Sequence, residues 1–511
     1  MSNQGGGRRP SRGQRPPGQG GRPPAQGARP AGQGGRPKSQ GARPAGQGPR
    51  PSGQGPRRDG PRRDSQRRGG PSRPAPAPVP RTERDVALAA VLRVEEGAYA
   101  NLVLPPLLAG SELRPGQRAA ATDLVYGSVR LRGALDHALT PLSKQGLDRL
   151  EPLVLWGLRL GAYELLFSRT AAHAAVGETV AAVRRAGSAG QGGYVNAVLR
   201  RLAADTPKWP DPARDPLGWA TTRGSHPEWI AREALTRLGP AGLIELAEAD
   251  NARPAVTLRA TPGRTTVARL IAELAEAGIQ ATPTALSPDC LVLAGGDPGA
   301  LDCVRDGRAV VQDEASALIA PLLGAGPGDL VADLAAGPGG KAGHAAALGA
   351  RVTAVELHPS RAALVAETAD RIDVADHLDV VIGDATRSPL RQGAFDAVLL
   401  DAPCTNLGSL RRRPEARWRH SPDEIDGLVR LQGRLLDAAA LAVRPGGTVV
   451  YSVCTWTRAE TEDVLTAARS RLPQLVPAPL GGPFGEATSR QLWTHRDGTD
   501  GIFVARFTRR G

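Results

Sequence analysis

Two cysteines occupy positions where a thiol could do chemistry. Cys404 ends Asp401-Ala402-Pro403-Cys404, and Cys454 ends the apolar run Val449-Val450-Tyr451-Ser452-Val453-Cys454. A lone cysteine at a strand end usually serves as a small core residue. Two at comparable ends, in a chain with four cysteines among 511 residues, favour a reactive pair. The thiolate is the nucleophile, and a free thiol with a pKa of about 8.5 is only slightly ionised at neutral pH. Nearby positive charge or a polar donor would raise that fraction, and Lys341 is a candidate. The other two thiols, Cys290 and Cys303, read as structural. Among the four there is neither a C-x-x-C pair nor a Cys/His cluster with zinc spacing, so no metal is expected.

A second constellation surrounds a glycine-rich loop, Ala335-Ala336-Gly337-Pro338-Gly339-Gly340-Lys341, which follows a strand ending at Asp333. Such a loop between strand and helix lets backbone approach a ligand closely. It matches neither a P-loop nor a G-x-G-x-x-G fingerprint. The next apolar runs end at Glu356, at Gly383-Asp384 and at Asp401. Glu356 suits a ribose diol and Asp384 an adenine amino group. Acids at successive strand tips around one glycine loop fit an adenosyl ligand that carries a cationic sulfonium.

The elements that must position these groups begin near residue 305. DLVADLA, RVTAVEL, LDVVIGD, FDAVLLDAP and GGTVVYSVCT are short apolar strands separated by helical or loop segments. Buried Val- and Leu-rich strands alternating with helices predict a doubly wound, mostly parallel sheet, a Rossmann-like α/β domain over 305–511. Both cysteines then lie at the ligand-bearing edge. Methylation of carbon 5 of a cytosine needs this combination. Carbon 5 is a poor nucleophile, and thiolate attack at carbon 6 makes it enamine-like, so that it can accept a methyl group from a sulfonium. Asp401 is placed to hydrogen-bond the base near N3. A base must then take the proton from carbon 5, and the sequence does not name it. Nor does this reasoning rank the cysteines. A Pro-Cys dipeptide favours Cys404, as in DNA cytosine methyltransferases, and the presence of a second cysteine argues the other way.

DLAAGPGGK (333–341), LLDAPCTNLGSLRRRPEARW (399–418) and GGTVVYSVCTWTRAETE (446–462) resemble the RsmB/Sun (Fmu) family of small-subunit ribosomal RNA cytosine-5 methyltransferases, within the NOL/NOP/Sun RNA methyltransferases. GYVNAVLRRL, in the preceding helical region, is similar to a segment of that family's NusB-like RNA-binding domain, so the resemblance covers about residues 84–510. It implies that Cys454 is the nucleophile and that Cys404 assists release of the product. It further implies that Ala335, Ala336, Gly337, Pro338, Gly339, Gly340, Lys341, Glu356, Asp384 and Asp401 contact S-adenosyl-L-methionine, with Asp401 also near the base. Small-subunit (16S) ribosomal RNA is the implied partner. The loop departs from the family's Cys-Ala-Ala-Pro-Gly-Gly-Lys at Ala335 and Gly337, both small changes that keep the backbone accessible. Glu460 matches a downstream acidic position of the last motif.

The remaining chain divides by composition. Residues 1–82 form an Arg/Gly/Pro/Gln-rich tail that is expected to be disordered, because residues 1–80 contain no Leu, Ile, Phe, Trp or Tyr to offset the entropy of ordering. Residues 1–80 hold 16 Arg and one Lys against two Asp, leaving 48 basic and 49 acidic groups elsewhere, so the formal charge of +14 belongs to the tail. That charge suits sequence-independent contact with RNA phosphates, or a solubilising role. Residues 83–205 read as an all-helical, NusB-like domain of five to seven helices, with apolar residues such as Leu155, Leu158, Ala162 and Leu166 at helical spacing. Residues 206–225 read as a linker and 226–304 as a small α+β subdomain. Arg411, Arg412, Arg413, Arg417 and Arg419, interleaved with Trp418, suit RNA contact by phosphate pairing and stacking. Ser421-Pro422-Asp423-Glu424 reads as a capping box opening a helix.

The N-terminus has no apolar signal region and no run of about 18 apolar residues appears, so a cytoplasmic protein without membrane association is expected, acting as a monomer. Two other readings compete with ribosomal RNA methylation. One is cytosine-5 methylation of transfer RNA or another RNA. The other is a non-catalytic RNA-binding assembly factor, against which both cysteines, the glycine loop and the acids argue. An amino-group methyltransferase would show Asn/Asp-Pro-Pro-aromatic where this chain has Asp401-Ala402-Pro403-Cys404.

Overall fold

A computed structural model describes residues 81–387 and 389–511. The expected disorder of the tail lies outside the described residues, apart from its last two positions.

Seven α-helices, Glu83–Glu95 through Ala189–Ala204, form the helical domain. Local chemistry starts them. Thr82 and Asp85 cap the first helix reciprocally, and Ser188 and Gln191 do the same for the last. Val195, Val198, Leu199 and Leu202 of the last helix are buried, while Arg200 and Arg201 lie on its exposed face. They join one apolar core with Val91, Leu124, Val125, Leu158 and Trp156. Each fully buried side chain of this kind contributes about 1.5–3 kcal/mol.

The segment expected as a linker is folded. It contains the helix Pro216–Thr221, capped by Asp215, and Ala220 is fully buried. Ala220 packs with Ile230, Leu243 and Leu246 of the helix Glu228–Asn251, which is interrupted at Gly239-Pro240. A small antiparallel sheet follows, in the order β2-β3-β1-β4, with β1 Val256–Ala260, β2 Ala281–Pro283, β3 Cys290–Leu293 and β4 Ala309–Val311. The helix Val267–Glu276 covers it through Leu270 and Leu274. β4 lies beyond residue 304, where the sequence placed the edge of this subdomain, because it pairs with β1.

The large sheet is built from β5 Leu330–Asp333, β6 Arg351–Glu356, β7 Leu378–Ile382, β8 Phe395–Asp401, β9 Val443–Val453, β10 Leu475–Pro477, β11 Ser489–Gln491 and β12 Phe503–Arg509. Its order is β10-β12-β9-β8-β5-β6-β7, with β11 paired to β12. β5 through β9 are mutually parallel, and β12 runs antiparallel to β9. Apolar cores cover both faces, which is why Ala397–Leu400 of β8 are all buried. The chain leaves β5 toward β6 on one side and returns to β8 on the other. The carboxyl ends of β5 and β8 therefore flank a topological switch point, where open α/β sheets bind ligands.

Candidate active site

The glycine loop leaves β5 at that switch point and enters the helix Gly340–Ala347. Gly339 has φ +103°, and a Cβ there would lie 2.9 Å from the Val365 Cα. At Gly337 a Cβ would lie 2.5 Å from a Glu356 carboxylate oxygen. The missing side chain at Gly337 lets loop and acid meet, and that at Gly339 lets the loop pack against the helix Pro359–Arg371. Glu356 accepts from the Gly337 N–H at 3.0 Å and from the His358 N–H at 3.0 Å, and Arg361 stands 3.6 Å from it. Glu356 is buried yet keeps acceptor capacity, since two carboxylate oxygens offer about four lone-pair sites. The tip of β7 adjoins it through the Gly383 N–H to Glu356 carbonyl bond, 3.0 Å. Asp384 is exposed, and the Thr386 hydroxyl and N–H hold its carboxyl below the usual range.

Lys341 donates to Asp401 at 2.7 Å, and Ser452 donates to the other Asp401 oxygen at 2.8 Å. Burial acts to lower the Lys341 pKa, but the Asp401 carboxylate outweighs it and the ammonium is held above its ordinary value. The electropositive neighbour expected for the thiols is thus present and already paired. Behind them Asp333 is pushed up to about 7 by burial, reinforced by Asp401 and Glu356 and opposed by the Ala335 N–H and Lys341.

The cysteines meet. Their Sγ atoms are 3.4 Å apart, Cys404 just past β8 and Cys454 just past β9. Their settings differ. Cys404 is 5 % exposed, while Cys454 is half-buried. The hydrogen bond with Cys454, then burial, pushes the Cys404 thiol well above the ordinary range.

Glu460, fully buried, ties the two cysteine loops together. One oxygen accepts from the Thr405 N–H (2.9 Å) and the Gln432 amide (3.1 Å). The other accepts from the hydroxyls of Thr405 (2.6 Å), Thr455 (3.2 Å) and Thr457 (2.8 Å). Sequence reasoning noted Glu460 without a role and missed its partners, as it missed Ser452 and Asn406. The T-x-T-x-x-E spacing of Thr455, Thr457 and Glu460 is the local signal that could have found the clamp.

Four of the five arginines after Cys404 are engaged by groups of the protein instead of forming the RNA surface expected of them. Arg417 is fully buried and donates to the carbonyls of Arg130, Ser225 and Asp250 and to the Asn251 side chain. Arg412 pairs with Asp313 at 2.7 Å and Asp500 at 3.2 Å. Arg411 donates to the Gly498 carbonyl, and Arg419 to that of Ala98 while stacking 4.0 Å over Tyr99. Trp418 donates to the Val129 carbonyl. Arg417, Trp418 and Arg419 fasten the catalytic sheet to the helical domain because buried backbone carbonyls need donors, whereas Arg411 and Arg412 bond groups of the catalytic domain itself. Ser421 and Pro422 do open the helix Pro422–Ala442, but the Ser421 side chain makes no cap bond, and Glu424 goes to His420 instead.

The family model for 16S rRNA methyltransferase RsmB/F matches residues 320–508. The NusB family matches 81–204, and the ferredoxin-like domain of RsmF/B-like methyltransferases matches 226–298. The ribosomal RNA small subunit methyltransferase B of Thermus thermophilus is 37 % identical, over 84 % of this chain and 98 % of that protein. The chain belongs to the RsmB/F family. It is 44 % identical to a Mycobacterium tuberculosis protein named "Putative methyltransferase Rv1407", over 81 % of this chain and 93 % of the relative. The crystal structure of PH0851 shares the fold, with a TM-score of 0.75 over 84 % of this chain and 99 % of its own at 24 % identity. This RsmB/F-family chain is an S-adenosylmethionine-dependent RNA cytosine-5 methyltransferase at the family level, with the multidomain architecture its sequence predicts. Among the described residues no helix is long and apolar enough to cross a membrane, and no group of three or more His, Cys, Asp or Glu could hold a metal ion.

Proposed function

We propose that this chain methylates carbon 5 of a specific cytosine in 16S ribosomal RNA through a covalent cysteine–cytosine adduct. The observation that carries the reading is the unequal thiol pair at the switch-point edge, 3.4 Å apart and beside the Lys341–Asp401 pair. Cys404, enclosed and with its pKa raised, stays a thiol. Cys454, the more accessible sulfur, attacks carbon 6 of the ring, and the displaced electron pair moves to carbon 5. S-adenosyl-L-methionine, when bound, supplies the electrophilic methyl group. Release requires loss of the carbon 5 proton to a base and cleavage of the sulfur–carbon 6 bond as the ring double bond re-forms, a step that Cys404 assists. Asp401, oriented by Lys341 and Ser452, hydrogen-bonds the base near N3.

Ala335 through Lys341 form the cofactor cradle, in which Gly337 lets the loop close on Glu356 and Gly339 lets it pack on the helix Pro359–Arg371. Glu356 takes the ribose diol and Asp384 the adenine amino group. The ribosomal target is supported by the names of relatives that match 84 % of this chain over 98 % of their own length.

Ribosomal RNA containing 5-fluorocytosine tests the chemistry, because fluorine at carbon 5 blocks the loss on which release depends. Wild-type protein with S-adenosylmethionine is expected to form a covalent complex, and Cys454→Ser none. Cys404→Ser is expected to accumulate adduct on ordinary RNA. No wild-type adduct would sink the covalent mechanism, and an adduct with Cys454→Ser but not Cys404→Ser would reverse the assignment. Preferential methylation of transfer RNA over 16S RNA would overturn the target.

A further inference from the structure

Asn406 touches the thiol assigned to attack. It follows Cys404 by two residues and adopts a left-handed backbone with φ +59°. Its side-chain Oδ1 lies 3.1 Å from the Cys454 Sγ, and its Nδ2 lies 2.9 Å from the Cys404 carbonyl oxygen. The second contact fixes the orientation of the amide. A carbonyl oxygen only accepts, so the NH2 must face it and the amide oxygen must face the sulfur. An acceptor facing sulfur can bond the S–H form but not the thiolate. Hydrogen bonding to the neutral form of an acid disfavours its ionisation.

The other groups around Cys454 are Cys404, a second neutral thiol, the Lys341 ammonium, which Asp401 neutralises, and Glu460, which reaches the cysteine loops through threonines. Lys341, shared with a carboxylate, favours the thiolate, and so does the Cys404 S–H when it donates to the Cys454 sulfur; the Asn406 oxygen acts against both. We propose that Asn406 is a catalytic residue that holds Cys454 as an oriented thiol in the resting enzyme, so that the thiol loses its proton to solvent water and becomes the nucleophile when a bound pyrimidine displaces the amide contact. This rests on Cys454 being the nucleophile. It adds a reason why an accessible active-site thiol would stay resistant to stray electrophiles before RNA arrives.

The test is the pH dependence of Cys454 alkylation by iodoacetamide in the RNA-free full-length protein, with the labelled residue identified by mass spectrometry. Asn406→Gly suits the left-handed backbone and removes the acceptor. Asn406→Asp keeps the shape and places a carboxylate against the sulfur. A hydrogen bond of ordinary strength corresponds to about a three- to tenfold change in ionisation. The midpoint of the Gly variant should therefore fall by about 0.5–1 pH unit, and that of the Asp variant should rise. Easier access in the Gly variant would raise the high-pH plateau without moving the midpoint, so the two effects separate. A Gly-variant midpoint equal to or above wild type overturns the inference, and so does an Asp-variant midpoint that does not rise. Matching thermal melts establish that each variant is folded. The 5-fluorocytosine adduct assay is read in parallel. Loss of the adduct in Cys454→Ser with no midpoint shift would sink the role of Asn406 alone. Shifted midpoints with an adduct persisting in Cys454→Ser would sink the nucleophile assignment instead.

Discussion

Glu460 is a buried carboxylate whose bonding partners among the described residues include no cation; five donors from the two cysteine loops and Gln432 satisfy it. Its two oxygens are not equivalent. One faces an N–H and an amide NH2, which can only donate, while the other faces hydroxyls, which can also accept. Glu460→Gln can keep its oxygen toward the pure donors and turn its NH2 to the hydroxyls, so it should stay within about 1 kcal/mol of wild type and keep most of its kcat. Glu460→Ala leaves several buried donors without partners. It should lose about 2–4 kcal/mol in denaturant melts and more than tenfold in kcat, with a smaller change in KM, since the thiol spacing rather than RNA affinity is disturbed. Equal losses in both variants would show that the charge, not the hydrogen-bond geometry, is what the site uses. At this scale the meeting of the two cysteines, and of the glycine loop with Glu356, was legible because each of these groups ends or follows an apolar strand. Asn406, Ser452 and the threonine partners were not, because their contacts cross from one strand end to another.

The strands of the catalytic sheet were readable from their apolar runs, since β5 to β9 are covered on both faces. The loop after Cys404 was not. Five arginines and a tryptophan in nine residues have the composition of an RNA surface, and sequence alone cannot show that backbone carbonyls of another domain lie within reach. Arg417 decides between the two uses. Burial lowers its pKa to about 10, with Asp250 opposing, which still leaves it charged at neutral pH. Its donors satisfy carbonyls at the ends of the helix Pro115–Arg130 and the helix Glu228–Asn251, and the residue between those helices, Ser225. Arg417→Ala should cost about 2–4 kcal/mol, because several buried acceptors lose a charged donor at once. The change should appear as a lower melting temperature and faster proteolysis between the helical and catalytic regions. The slope of RNA affinity against salt should not move. A shallower slope with unchanged stability would return this loop to the RNA surface.

Across the molecule, composition separated the basic N-terminal residues from a nearly neutral remainder, whereas the docking of the helical domain and the fourth strand of the small sheet depend on contacts distant in sequence. The same separation of charge sets the last expectation. Phosphate contacts release counterions, so the logarithm of affinity falls with the logarithm of salt by about 0.7–0.9 per phosphate neutralised. Residues 1–80 hold 17 of the 65 basic groups and two of the 51 acidic ones, so a general attraction for RNA should reside there. If about six of those cations meet phosphates, removing residues 1–80 should make the salt slope shallower by about 4 to 5. Affinity should fall most at low ionic strength, where screening is weakest. The rate of a pre-formed enzyme–RNA complex, measured in a single turnover, should stay the same, because the thiols, the cradle and Glu460 all lie beyond residue 330. Filter binding of 16S RNA from about 50 to 200 mM salt measures the slope in both proteins. Identical slopes would assign the charge to solubility, and a slower single turnover would mean that the basic segment acts on the chemistry as well as on capture.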